Sequence, residues 1–77
     1  MEIKGFIEHF VEQFDEAPSV EVTPETRHHE MAEWTSMIAL SVMAMIDEEY
    51  GVTIGANEMR SSVTIQDLFD QVKAKAE

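Results

Sequence analysis

Ile3-Lys4-Gly5-Phe6-Ile7-Glu8-His9-Phe10-Val11-Glu12-Gln13-Phe14 puts apolar side chains at positions 3, 6, 7, 10, 11 and 14. The i, i+3, i+4, i+7, i+8, i+11 spacing traces one full stripe of an amphipathic helix. Glu2, Glu8, Glu12 and Gln13 fall off the stripe, and His9 lies beside it, toward the surface. The pattern predicts a helix over about residues 2–15. It ends ahead of Pro18, which has no backbone N–H to donate.

Further along the chain, a second apolar run, Met37 to Ile46, follows Thr35-Ser36 and ends in Asp47-Glu48-Glu49-Tyr50-Gly51. Thr35 is the better N-cap candidate, and Gly51 is a C-terminal stop. Apolar residues cover most of this helix's circumference, so it is expected to be the most buried helix. The last stripe, Ile65, Leu68, Phe69 and Val72, opens on Thr64-Ile65-Gln66-Asp67, a capping signature with Asp where Glu or Gln is usual. Lys73 and Lys75 sit where cations suit the helix dipole. Asn57 is expected to cap a short turn over Glu58-Met59-Arg60. Val52 and Ile54 alternate too briefly for a sheet.

Residues 16–34 form a long connection. Thr23-Pro24-Glu25 suits a short helical turn. Val20, Val22, Met31 and Trp34 are candidate anchors to the core. The expected fold is all-α: a small antiparallel bundle of three main helices plus one or two short helical turns, with a long first loop, as a single domain over 1–77. Ile3, Phe6, Phe10, Phe14, Leu40, Val42, Ile46, Ile54, Ile65, Leu68 and Phe69 are its expected core. Met31, Met37, Met43, Met45 and Met59 flank or line it.

Composition narrows the function. The 77 residues hold 5 Lys+Arg against 16 Asp+Glu, a formal net charge of −11. Such a chain repels nucleic acid backbones and anionic membranes and favours basic protein surfaces or cations. With 44% apolar residues the chain is no disordered polyanion. With no cysteine, disulfides, thiolate metal sites and thiol catalysis are excluded. Met1-Glu2-Ile3-Lys4 does not open a secretory signal, and the longest apolar stretch is too short to span a bilayer. A monomeric cytoplasmic protein with no membrane insertion is expected.

Catalytic signals are weak. Adjacent residues diverge, so His28-His29 is a poor chelate and reads as two solvated loop histidines. No metal site is expected. Asp47-Glu48-Glu49 lacks the spacing of a calcium loop. Neither a nucleophile elbow nor a glycine-rich oxyanion loop supports a triad. No self-contained enzyme is expected. Ser36, where the long loop meets the most apolar helix, reads from spacing alone as a helix cap.

The ordered set Trp34-Thr35-Ser36-Met37, then Asp47-Glu48-Glu49-Tyr50-Gly51-Val52-Thr53-Ile54, then Thr64-Ile65-Gln66-Asp67-Leu68 resembles the acyl carrier protein family over nearly the whole chain. The resemblance implies that Ser36 carries a 4'-phosphopantetheine arm derived from coenzyme A, whose thiol bears acyl groups as thioesters. It implies a phosphopantetheinyl transferase and acyl-loading and acyl-processing enzymes with basic docking surfaces as partners. Met37, Ile38, Asp47, Glu48 and Glu49 are the expected contacts. Three residues depart from the family pattern: Thr35 stands in place of Asp, Met37 in place of Leu, and Ser41 where Glu is common. With early acids missing from this helix, the departures favour a dedicated fatty acid or polyketide-type pathway over the housekeeping carrier. The alternatives are a peptidyl or aminoacyl carrier, an unmodified acidic interaction module, and, more remotely, a metal-dependent hydrolase using His28 and His29.

Overall fold

Among the described residues, four helices and one 3-10 turn form in the places where local signals permit a start and a stop. The computed structural model describes residues 2–77. In chain order these are α1 (Ile3–Val11), the 3-10 turn (His28–Glu30), α2 (Ser36–Tyr50), α3 (Ala56–Ser61) and α4 (Ile65–Ala76). α1, α2 and α4 pack on one another around a single core. The described residues contain no strand, and the small all-α bundle expected from periodicity is what forms.

α1 is shorter than its stripe. Beyond Val11 the backbone tightens into i→i+3 bonds, Gln13 N–H to the Phe10 carbonyl and Phe14 N–H to the Val11 carbonyl, both 3.1 Å. The chain therefore keeps a helical course far enough to bury Phe14 with Phe6 and Phe10.

α2 begins where Thr35, in extended backbone, accepts the Ile38 N–H on its hydroxyl at 3.2 Å. It ends where Gly51 turns left-handed at φ 66° and gives its N–H to the Asp47 carbonyl. A side chain is strained at that φ, which is why glycine serves there. The expectation that α2 is the most buried helix does not hold. It buries Val42, Met45 and Ile46, whereas α4 buries Ile65, Leu68, Phe69 and Val72. Leu40, expected in the core, is 63% exposed, and Met37 is 77% exposed. An apolar circumference does not itself say which side the other helices cover.

Two other local expectations are corrected. Gly55, not Asn57, caps α3: the Glu58 carboxylate reaches back to the Gly55 N–H at 3.0 Å, and Asn57 lies inside the first turn. Thr23-Pro24-Glu25 makes a turn rather than a helix. It is closed by Thr26 N–H to the Thr23 carbonyl at 3.0 Å and by Thr23 N–H to the Thr26 hydroxyl at 2.8 Å. Val52 and Ile54 belong to no strand yet are both buried.

The long loop is held at the start of α4. Ile65 N–H donates to the Thr26 carbonyl at 3.0 Å and Gln66 N–H to the Pro24 carbonyl at 2.9 Å. Asp67 N–H donates to the Thr64 hydroxyl oxygen at 3.1 Å, while the Asp67 carboxylate accepts from the N–H groups of Thr64 and Val63. The first three N–H groups of α4, which no helix satisfies internally, are thus all bonded. The hydrogen bond from the Thr64 backbone is the main reason the Asp67 carboxyl is held below its ordinary range. Thr64→Ala is expected to cost about 1 kcal/mol in chemical denaturation by removing this cap. Of the loop anchors, Met31 is buried and Val22 and Trp34 lean on the core, but Val20 is 55% exposed and anchors nothing.

A second clip joins α3 to α4. Lys75 Nζ lies 2.6 Å from a Glu58 carboxylate oxygen and donates to the Thr53 carbonyl at 2.8 Å. The Gly55 N–H, and after it Lys75, hold the Glu58 carboxyl below its ordinary range. Buried Ser62 donates to the Glu58 carbonyl at 2.9 Å, and Gln71 donates to that carbonyl and to the Ser62 hydroxyl.

Candidate functional site at the start of the second helix

Ser36 is the first residue of α2 and is exposed. Thr35 occupies the Ile38 N–H, which leaves the N–H groups of Ser36 and Met37 with no partner inside the helix. This is the positive end of a 15-residue helix, where added negative charge is favoured. An anionic phosphodiester on the Ser36 hydroxyl fits here on both steric and electrostatic grounds.

The approach to Ser36 is fixed by an aromatic cluster. Trp34 stacks on Phe10 with ring centroids 6.0 Å apart and planes 11° from parallel. It also meets His28 at 5.0 Å and His29 at 5.5 Å. Trp34 therefore acts as the packing anchor expected of it.

His28 overturns the reading of two solvated histidines. His29 is exposed, but His28 is 0% exposed. Its two ring nitrogens have no hydrogen-bond partner among the described residues. Burial lowers its pKa from 6.5 to about 4, and the His29 charge adds to this. The Ser62 backbone and the Asp67 carboxylate favour the charged form by less. Because neither nitrogen has a bonded partner, Ser62 acts as a nearby dipole only. Among the described residues no three His, Asp or Glu side chains converge as metal ligands.

The expected contact residues do not gather at one point. Met37, Leu40, Ala44, Asp47 and Glu48 recur at i, i+3, i+7, i+10 and i+11 and are all exposed, so they share one outward face of α2. At 1.5 Å rise per residue, Met37 and Asp47 stand about 15 Å apart along that face. The face is apolar at the Ser36 end and acidic at the other. Ile38 is half-buried against the core, and Glu49 turns toward α1, 3.9 Å from His9 Nε2. Leu40 is the member the sequence reading assigned elsewhere. Its i+3 spacing from Met37 is the signal that marks it.

Two grooves flank the start of α2. One of about 600 Å³ reaches across to α3; Trp34, Ser36, Leu40, Met43 and Met59 line it, with His29 and Arg60. The other, about 410 Å³, opens toward the end of α1 and is bordered by Asp15, Glu16 and Glu33, with Thr35, Met37 and Ser41. Glu33 accepts the Ser19 N–H at 3.1 Å, and hydrogen bonding by Ser19 is the main cause holding its carboxyl below the ordinary value. Arg60 and the carboxylates of residues 15 and 16 were not marked by the sequence reading; none of them belongs to a motif.

No described helix is long and apolar enough to cross a membrane. Comparison with protein-family models, curated proteins and solved structures gives no match for this chain.

Proposed function

We infer that the protein is an acyl carrier whose Ser36 hydroxyl receives a 4'-phosphopantetheine arm from coenzyme A. The observation that carries this reading is an exposed serine at the first position of α2, with unbonded N–H groups beside it and a groove at its flank. The ordered resemblance of residues 34–37, 47–54 and 64–68 to acyl carriers supports it. In the loading step the Ser36 oxygen attacks the phosphorus next to the pantetheine. An Oγ–P bond forms and the phosphoanhydride bond breaks. The nucleoside bisphosphate half leaves, and the serine proton passes to a base of the transferase. The arm supplies the thiol that this cysteine-free chain lacks, and acyl groups ride on it as thioesters.

The chain's own residues present the arm. Thr35 fixes the start of α2, and Trp34 anchors the loop before it. The outward face from Met37 and Leu40 to Asp47 and Glu48 offers a partner an apolar contact near the arm and an acidic one about 15 Å away. Basic surfaces on the transferase and on acyl-loading or acyl-processing enzymes suit that face. A dedicated fatty acid or polyketide-type pathway is the setting that Thr35 and Ser41 favour.

Incubation with coenzyme A and a broad-specificity phosphopantetheinyl transferase, followed by intact mass measurement, tests the reading. The expected result is a gain of one phosphopantetheine in the parent chain and none in Ser36→Ala. Absence of the gain, repeated in protein from its native host, would reject the carrier in favour of an unmodified interaction module.

A further inference from the structure

The two grooves beside Ser36 are opposite in charge. Carboxylates border the smaller one, while the larger has no Asp or Glu in its wall. In a chain of net charge −11, an acid-free wall carrying an arginine runs against the composition. Arg60 donates to the Asn57 side-chain carbonyl and forms no ion pair with a carboxylate among the described residues. Lys75 and Arg27, by contrast, are paired with Glu58 and Glu30. Arg60 thus retains most of its five N–H donors for a ligand. Besides Ser36 and Arg60, the groove is lined by the apolar side chains of Leu40, Met43 and Met59. Its volume, about 600 Å³, lies within the ordinary range for small-molecule sites.

Resting on the carrier reading above, we propose that this groove selects acyl cargo whose far end bears a carboxylate. The methylene chain lies on Met43 and Met59 and the terminal carboxylate pairs with the Arg60 guanidinium. A neutral chain of the same length gains the apolar contact alone. A carboxylate gains in addition a charge-assisted bond to the guanidinium fork. The rest of the surface opposes such cargo: the carboxylates of the other groove and of Asp47 and Glu48 repel an anionic tip. Arg60 is the cation the groove provides to offset that repulsion.

The test uses free thioesters, so it does not depend on attachment at Ser36. The unmodified chain is titrated with S-adipyl-pantetheine and with S-hexanoyl-pantetheine, following the Arg60 Nε–H resonance and the backbone amides of Leu40 and Met59. The adipyl compound is expected to bind about three- to fivefold tighter, the gain of a solvent-accessible ion pair. Arg60→Gln should erase that difference and leave hexanoyl binding unchanged, while Arg60→Lys should restore part of it. Arg60 is exposed, so both variants should keep the parent fold, which the dispersion of the amide spectrum checks. Equal affinity for the two compounds would overturn the proposal, as would an equal loss for both in Arg60→Gln. A carrier that loads at Ser36 yet shows no preference would retain the proposed function and lose this inference. A chain that never loads yet shows the Arg60-dependent preference would do the reverse.

Discussion

Replacing Phe6 with alanine is expected to remove about 3–5 kcal/mol of unfolding free energy, as loss of a fully buried aromatic ring does. Phe6 is 0% exposed and sits at the junction of three helices. Its ring centroid lies 5.5 Å from that of Phe69 on α4 and 5.8 Å from that of Tyr50 at the end of α2. A domain of this length has roughly 4–12 kcal/mol in total. The variant should therefore show a urea midpoint far below that of the parent, or no cooperative transition. Leu40→Ala is the matched control. Leu40 is as apolar but exposed, and its loss should shift stability by no more than about 0.5 kcal/mol. A Phe6 variant as stable as the Leu40 variant would refute the placement of the core.

The second large effect is acid lability centred on His28. In the folded chain its pKa is lowered to about 4, against an ordinary value of 6.5. Between those values the unfolded chain binds a proton that the folded chain excludes. Stability therefore rises with pH across this window and falls as acid is added. The stability contributed by keeping His28 neutral is complete above pH 6.5 and is lost as the pH drops to about 4. The shift amounts to about 3 kcal/mol at 1.36 kcal/mol per unit. The carboxylates held below their ordinary values, Glu33, Glu58 and Asp67, begin to lose their contributions only as the pH nears those ordinary values, so the slope between pH 7 and pH 5 reports His28 and the two effects overlap below it. Urea denaturation at pH 7, 6, 5 and 4 should reveal the slope. His28→Phe, which fills the same site with a group that cannot titrate, should flatten it. A parent chain equally stable at pH 7 and pH 4.5 would contradict the burial of this ring.

Those two residues mark what the sequence made legible and what it did not. The stripe from Ile3 to Phe14, the Thr35 cap, the Gly51 stop and the Thr64–Asp67 box are local rules, decided within one or two helical turns, so the helix plan could be read directly. Ser36 is different: spacing alone reads it as a helix cap, and only the resemblance carried by residues 34–37, 47–54 and 64–68 marks it as a site. His28 and Leu40 depend on contacts made from elsewhere. A double histidine in a polar loop has no period, and its burial follows from loop carbonyls bonding to α4. Leu40 sits in a helix apolar on nearly all sides, so only the arrangement of α1 and α4 decides that it faces out. Gly55 was missed as a cap because a glycine offers no side chain, although Glu58 three residues later is the signal that finds it. Arg60 belongs to no motif and gains meaning only when α3 is brought beside α2.

The loop carbonyls of Pro24 and Thr26, bonded to the first amides of α4, also govern the order of events in synthesis. A chain emerging from the ribosome makes α1 and α2 well before Ile65 and Gln66 exist. Until then the loop has Phe10 of α1 for Trp34 to stack on but lacks the two amides of α4, and His28 has no finished interior to enter. The loop before Ser36 is therefore held only once the start of α4 has been made, well after Ser36 itself. A product truncated before Ile65 would leave that loop without its two amide partners and would not present Ser36 in the same setting.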